Sequence, residues 1–410
     1  MKIIFVTQPW DGIGLGSSIG IVTCNLIKQF KQTKDIYIFC KGGTVPEEYH
    51  SFTLKYIYVS LFTDNILQKF SLFLRKSGII SSKKKPIYIS SINYFFYALK
   101  AAIFIRFNNI NIVHIHNYSQ FVSVIRFFNP KTKIILHMHC EWLSLNKSKT
   151  IKKRIKDTDI VFGCSKYISD KIAENYPEFK YKINTLYNGF DSAKFKYVRK
   201  ETEDTKVNLL YLGRVSPEKG LHILVQAFNK ISKSFDNVFL SIAGSIKSMP
   251  KAYFIDISND DNILDLNKYY KSNYHEHLLS LTDKEVKKKI CFCGFQDSYS
   301  MLKKSDVLIL PSIWNEPFGM PVIEAMAAGK IVIASKSGGI TELISENLNG
   351  FLFEKNDTNE LFNRMEYVIQ NINRLDNIRQ NAEKFAYDNF TWEIITSKLE
   401  KIYNTVSGEI

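Results

Sequence analysis

The 410-residue sequence predicts an α/β protein of two doubly wound, Rossmann-like domains in series. Three observations carry that expectation. Short apolar runs alternate with helix-like segments, which is the pattern of a parallel sheet wrapped by helices. The alternation pauses at a polar, charged stretch over residues 194–206 and then restarts. The chain is also longer than one ordinary core requires and suits two domains of about 200 residues.

In the first half the apolar runs place strands at residues 3–7, 36–40, 55–59, 112–116, 134–139, 160–163 and 183–186. The opening run, Ile3-Ile4-Phe5-Val6-Thr7, is too short for a signal peptide and reads as a first buried strand, so a cytoplasmic protein is expected. Asn188-Gly189-Phe190-Asp191 closes a first domain over 1–190. The second domain, 191–385, places strands at 207–212, 238–243, 290–293, 307–310, 331–334 and 350–353, with a helix over 221–232. Residues 245–289 break the rhythm: the segment is long and polar, contains tyrosines, and carries Asp256, Asp260, Asp261 and Asp265. It is either a lid on the ligand side or a surface insertion, and its length favours the insertion. Residues 381–404 read as helix, with Phe385, Trp392, Ile395, Leu399, Ile402 and Tyr403 on repeating faces.

Composition narrows the class. Hydrophobic content of 45% with 23% charged residues is that of a soluble globular protein. The uncharged, apolar stretch 86–99 falls short of the roughly 20 residues a membrane-spanning helix needs. Cys24, Cys40, Cys140, Cys164, Cys291 and Cys293 form no Cys-x-x-Cys pair and read as reduced core thiols. Residues 1–190 hold 27 Lys and Arg against 11 Asp and Glu, a net +16, whereas 191–410 hold 28 against 29, a net −1. A basic half suits nucleic acid, anionic lipid or an acidic acceptor, and a plain lysine bias would look the same. Ile66, Leu67, Phe70, Phe73 and Leu74 share one helical face near Lys69, Arg75 and Lys76, with Lys83-Lys84-Lys85 following. Such a helix lies on anionic lipid or packs in a core with its lysines reaching out, and both readings stay open.

The chemistry concentrates at 311–329. Between the strand at 307–310 and the strand at 331–334 lies a loop carrying Glu316, then a helix with Pro321 in its first turn and Gly329 at its end. The amides near Gly319 and Met320 make an anion site at the helix start, flanked by Glu316 and Glu324. Two carboxylates beside a phosphate-friendly helix end suit a nucleotide sugar, whose diphosphate meets amides and whose hydroxyls donate to the acids. Gly213-Arg214-Val215-Ser216-Pro217-Glu218-Lys219-Gly220 follows the strand at 207–212, so Arg214 and Lys219 offer a planar fork and a point charge to phosphates. Gly12-Ile13-Gly14-Leu15-Gly16-Ser17-Ser18 follows the first strand but is not Gly-x-Gly-x-x-Gly, so a dinucleotide cofactor is poorly supported. His114 and His116 alternate along one strand, as do His137 and His139 along another; no acidic or sulfur ligand has matching spacing, and no metal is expected.

The spacing Glu316-x7-Glu324, with Pro317-Phe318-Gly319 inside it and Glu324-Ala325-Met326-Ala327-Ala328-Gly329 at its end, resembles the donor-site signature of family 4 retaining glycosyltransferases. Gly213-Arg214 followed by Lys219-Gly220 looks like the diphosphate-holding segment of the same family, and Asn188-Gly189-Phe190-Asp191 and Ser337-Gly338-Gly339-Ile340-Thr341-Glu342 agree with it. The resemblance is motif-dense after Asp191 and thin before it. It implies the GT-B fold, two Rossmann-like domains facing a cleft, with a final helix over 386–410 crossing back to the first domain. It implies donor contacts at Arg214, Lys219, Gly294, Phe295, Glu316, Phe318, Gly319, Met320, Val322 and Glu324. The family's histidine beside the reacting sugar corresponds best to His139, with His137 as competitor, and places Glu141 and Trp142 at the acceptor mouth. Gly14 and Gly16 are the nearest match to its glycine pair below the sugar. Catalysis would rest on His139, Glu316, Lys219 and Arg214.

The expected activity is transfer of a hexosyl group, with retention, from a nucleotide sugar to a glycan or lipid-linked saccharide in surface polysaccharide or lipopolysaccharide biosynthesis. A UDP-sugar is the best fit, the nucleotide sugar is a substrate, and no cofactor is called for. The enzyme would be cytoplasmic, peripheral on the inner face of the membrane through its basic first half. Rival readings are a catalytically silent sugar-nucleotide-binding or surface-structure protein, a GT-B sugar-nucleotide epimerase, and a phosphorylase, whose lysine-bound pyridoxal nothing here singles out. A nucleic-acid partner is not expected, because no aromatic-basic interleaving of the known modules is present.

Overall fold

The apolar runs become parallel strands, seven in one sheet and six in another, among the residues that the computed structural model describes: 1–9, 18–30, 35–41, 54–77, 86, 88–145, 147–195, 206–248, 250–251, 254–271 and 273–408. The chain divides into two units, Met1–Asn188 together with Trp392–Ile410, and Gly189–Thr391.

The first unit is built on β1 (Lys2–Val6), β2 (Asp35–Lys41), β3 (Leu54–Val59), β4 (Ile112–His116), β5 (Lys133–Met138), β6 (Ile160–Gly163) and β7 (Ile183–Thr185). They lie in the order β3-β2-β1-β4-β5-β6-β7, all parallel, so the strand order reverses between β1 and β4. Ile3, Ile4, Phe5 and Val6 are all buried, as expected for a strand covered by helices on both faces. β5 stops one residue short of the expected end, because the His139 amide donates to the Asn117 side-chain oxygen at 2.6 Å instead of to the ladder. The helix Trp392–Ser407 packs within this unit. Its Tyr403 hydroxyl lies 2.6 Å from His114 Nδ1, its Tyr403 ring stacks on Phe30, and Thr396 Oγ1 donates to the Leu26 carbonyl.

The second unit holds β8 (Val207–Leu212), β9 (Val238–Ala243), β10 (Ile290–Gly294), β11 (Val307–Leu310), β12 (Ile331–Ser335) and β13 (Phe351–Phe353), in the order β10-β9-β8-β11-β12-β13. Here the reversal falls between β8 and β11. In an open parallel sheet that is where the loops leaving adjacent strands part to opposite faces and open a crevice for ligand. Backbone packs closely on the β9 side of this point: Gly244 donates to the Gly294 carbonyl at 2.7 Å, with φ +157°.

Two expectations need correction. At its described residues the segment 245–289 is not simply a surface excursion. Ile255, Ile257, Ile263, Leu266, Tyr274 and Leu278 are buried, and the helix Tyr274–Leu281 packs on the helix Leu221–Ser234, where the His222 amide donates to the Tyr274 hydroxyl. The polar composition hid a sparse set of inward-facing residues. Nor are all the cysteines core thiols: Cys24, Cys40 and Cys164 are buried, but Cys291 is exposed and Cys293 half-buried, because β10 is the sheet edge.

A Cβ at Gly244 would sit 1.7 Å from the Gly213 carbonyl oxygen, in a backbone conformation that side chains avoid. Gly244→Ala should therefore destabilise the second unit by about 3 kcal/mol or more, read as a lower midpoint in urea unfolding; an unchanged midpoint would contradict this packing.

Candidate functional site

Two loops meet at the strand-order reversal of the second unit. The loop after β8 runs from Gly213 into the short turn Pro217–Lys219, and the loop after β11 runs from Pro311 to Gly319. They are joined through the backbone, with the amides of Ile313 and Trp314 donating to the Glu218 carbonyl at 3.0 and 3.3 Å. Gly220, at φ +70°, lets them touch, since a Cβ there would lie 1.9 Å from the Pro311 carbonyl oxygen.

Across this junction Lys219 Nζ lies 2.5 Å from Glu316 Oε1, which also accepts from Ser312 Oγ at 2.5 Å. The ammonium sits 4.8 Å from the centre of the Trp314 ring. Burial would push the Glu316 carboxyl up, but Lys219, by charge and by hydrogen bond, and then Ser312 and Trp314, hold it below the ordinary carboxylate value. Arg214 forms a second pair, Nη2 to Glu218 Oε1 at 2.9 Å, and the other Glu218 oxygen accepts from Ser216. The two carboxylate side chains are 0% and 7% exposed, whereas Arg214 keeps 33% and Lys219 14%. The acids are thus backing and the cations present the polar surface, an arrangement suited to an anion.

The helix Met320–Ala327 starts beside this pair. The amides of Gly319 and Met320 have no acceptor among the described residues, as expected at a helix start. Val322 does not join them: its amide donates to the Gly319 carbonyl at 2.9 Å and its side chain is buried. Phe318 also turns inward, its ring packed edge-on against Phe390, so neither side chain is offered to a ligand. Both were expected at the donor because they lie inside the motif; motif membership does not say which way a side chain points.

Glu324 sits one turn inside the helix and is half-buried. Burial pushes its carboxyl up to about 7, with Asp297 adding to the rise and a hydrogen bond from Ser298 and the charge of Lys194 opposing it. Lys194 is itself paired with Asp297 at 2.6 Å. Gly294 ends β10 at φ +67° with open space where a side chain would go, and the Phe295 ring beside it is exposed.

In the first unit Gly14 and Gly16 lie outside the described residues. His139, Glu141 and Trp142 follow the carboxyl end of β5. Glu141 Oε1 accepts from the Tyr167 hydroxyl at 2.6 Å, and Trp142 stacks on Tyr88 with Tyr118 against its edge. Beneath them the four histidines form hydrogen-bonded pairs: His116 Nδ1 to His139 Nε2 at 2.9 Å, and His114 Nε2 to His137 Nδ1 at 3.2 Å. The Thr23 hydroxyl donates to the Ile19 carbonyl, so it accepts from His116 Nε2, leaving His116 Nδ1 to accept from His139 Nε2. His139 Nδ1 then carries a lone pair that meets no donor among the described residues. Burial, reinforced for His114, His116 and His139 by neighbouring imidazoles, lowers all four, His137 to about 3, so the stack is neutral. Ring nitrogens of His114, His116 and His137 lie within 4.8 Å of one another, close enough to consider a metal. His114 Nδ1 and Nε2, His116 Nδ1 and Nε2 and His137 Nδ1 are already bonded to Tyr403, Thr23 or one another's rings and to His139, and His137 Nε2 has no partner among the described residues.

Glu218, Ser216, Ser312 and Trp314 were not singled out in the sequence. The only signal was spacing, Glu218 four residues after Arg214 and Ser312 four before Glu316, which is common in any chain.

Comparison with known proteins bears on the whole chain. Residues 193–385 match the family described as Glycosyl transferases group 1, and residues 20–194 match the one described as Glycosyltransferase Family 4. The chain is 26% identical over 303 residues to a lipopolysaccharide 1,2-N-acetylglucosaminetransferase of Salmonella typhimurium, covering 71% of this chain and 72% of that one. The Anabaena Alr3699/HepE crystal structure in complex with UDP superposes with a TM-score of 0.70 over 99% of this chain and 100% of that one, at 19% identity. The apo lipopolysaccharide outer core galactosyltransferase WaaB does so with a TM-score of 0.65 over the full length of both chains, at 17% identity. No helix among the described residues is long and apolar enough to cross a membrane. With two parallel Rossmann-like sheets, matches spanning residues 20–385 and neighbours of the GT-B fold, the chain belongs to the family 4 glycosyltransferases.

Proposed function

We propose that this glycosyltransferase retains configuration and moves a hexosyl group from a nucleotide sugar, a UDP-sugar being the best fit, to a hydroxyl on a glycan or lipid-linked saccharide in surface polysaccharide or lipopolysaccharide biosynthesis. The observation that carries the donor half is the Lys219–Glu316 pair, backed by Arg214–Glu218, at the strand-order reversal beside free helix amides. The complex of one structural neighbour with UDP and the lipopolysaccharide acceptor of one relative support the choice of nucleotide and pathway.

In this reading Arg214, Lys219 and the Gly319 and Met320 amides take the charge of the departing nucleoside diphosphate, work that elsewhere falls to a divalent ion. Glu316, held ionised, accepts from sugar hydroxyls while keeping Lys219 in place, and Glu324 accepts from the ribose. Gly294 and Phe295 meet the base. His139, with its Nδ1 lone pair, accepts from a sugar hydroxyl, and Glu141 and Trp142 serve the acceptor. The acceptor oxygen bonds to the anomeric carbon on the face the diphosphate leaves, its proton passes to the leaving phosphate oxygen, and the carbon–phosphate-oxygen bond breaks. The chain would work in the cytoplasm at the inner face of a membrane.

Thermal denaturation with UDP, GDP and ADP should show the largest upward shift with UDP, equivalent to about 2.7 kcal/mol at a hundredfold excess over Kd; no shift with any nucleotide would refute the donor site. Lys219→Ala alone strips a buried carboxylate of its partner and should cost stability, about 3 kcal/mol or more, which Glu316→Gln in the same chain should largely restore. That folded double variant should lose roughly a hundredfold or more in turnover of UDP-glucose, and near-normal turnover would count against the assigned roles.

Glu324 makes binding pH-dependent. With its pKa raised to about 7, the neutral form favours folding, a contribution complete at low pH and lost as pH rises through about 7. Donor binding runs the other way, since ribose hydroxyls donate to the carboxylate. Affinity for UDP-glucose, whose own phosphates do not titrate in this range, should fall as pH drops below about 7, and Glu324→Gln should flatten that limb in a calorimetric titration.

A further inference from the structure

We infer that the helix Phe62–Lys76 is a docking face for an anionic bilayer. Its polarity is turned inside out. With about 100° per residue, Phe62, Phe73, Ile66 and Phe70 fall within an arc of about 80°, with Lys69 at its border. These four side chains are 72%, 64%, 54% and 59% exposed. Leu67 and Leu74, which the sequence pattern grouped with Ile66, Phe70 and Phe73, are half-buried and lie instead with Asp64, Gln68 and Ser71 on the opposite face, the one turned towards the protein.

The inversion has a structural cause. Asp64 is buried, and its Oδ1 accepts from the Phe96 amide at 3.0 Å, satisfying the first turn of the neighbouring helix Phe95–Phe107. An inward carboxylate that answers otherwise unpaired amides fixes the rotation of Phe62–Lys76, and its phenylalanines are thereby held outward. Folding of a soluble core would bury such a stripe; exposing it costs hydrophobic stabilisation that only a partner restores.

Charge selects the partner. The stripe belongs to the unit whose first 190 residues carry a net +16, and most of the exposed large apolar side chains among the described residues are in that unit as well. Apolar side chains reaching below the headgroups, borne by a unit of strongly cationic composition, match an anionic membrane, where each basic residue near the surface adds to the attraction. The inference deepens the proposed work at a membrane face, but it does not depend on the donor site.

The test uses the full chain with vesicles of phosphatidylcholine alone and of phosphatidylcholine with phosphatidylglycerol, followed by co-sedimentation at low and high salt. The protein should sediment with the anionic vesicles, less so at high salt. Phe70→Ser/Phe73→Ser, and separately Phe62→Ser/Ile66→Ser, should bind about tenfold or more weakly. These residues are exposed, so circular dichroism and the thermal shift with UDP should stay as in the parent, which separates failure of this inference from failure of the donor reading. Equal sedimentation of parent and variants, or none with the anionic vesicles at low salt, would overturn it. A dimer in light scattering that the variants dissolve, without vesicle binding by the parent, would assign the stripe to a second copy of the chain and also overturn it.

Discussion

The second unit depends on a single ion pair between two loops far apart in sequence. Lys219 and Glu316 are 97 residues apart, yet the parallel order sets β8 beside β11 and delivers both side chains to one point. A buried carboxylate is tolerated there only because it is paired and hydrogen-bonded, and the ammonium is held upright by that carboxylate and the Trp314 ring. The loops can approach because Gly220 has no side chain to meet Pro311.

A second constraint shapes the first unit. Four imidazoles packed against one another at the ends of β4 and β5 would be a heavy burden if charged, and burial keeps them neutral instead. The tautomers of His116 and His139 then follow from the chain of donors that begins at Thr23, and that chain ends at the half-buried His139. Tyr403, from the far end of the sequence, closes the other pair. The terminal helix is therefore wired into the polar core of the unit as well as packed upon it.

Much of this was legible from residues alone. The strands at 112–116, 160–163, 207–212, 238–243 and 307–310 coincide with the elements observed, because short apolar runs bounded by glycine and polar residues have few other uses in an α/β chain. Arg214, Lys219 and Glu316 were legible as candidates because they sit on two strand-to-helix turns that adjacent strands bring together. Glu218 was not: its role is to back Arg214 from a fully buried position, and burial is a property of the surroundings. The segment 245–289 misled for the same reason, since its few inward residues are spaced by tertiary contacts and not by a helical or strand period.

Sequence by itself determined the two-sheet architecture, the order of elements and the identity of the charged groups, because periodicity and turn chemistry are local and survive without neighbours. Tertiary structure alone decided orientation. Phe318 and Val322 face the core although they sit within the donor motif, whereas Phe62, Ile66, Phe70 and Phe73 face outward although any apolar stripe invites burial. Hydrophobicity states which groups gain by leaving water, but which way an element turns is settled by the polar groups it must satisfy, as Asp64 does for the amides of the adjoining helix.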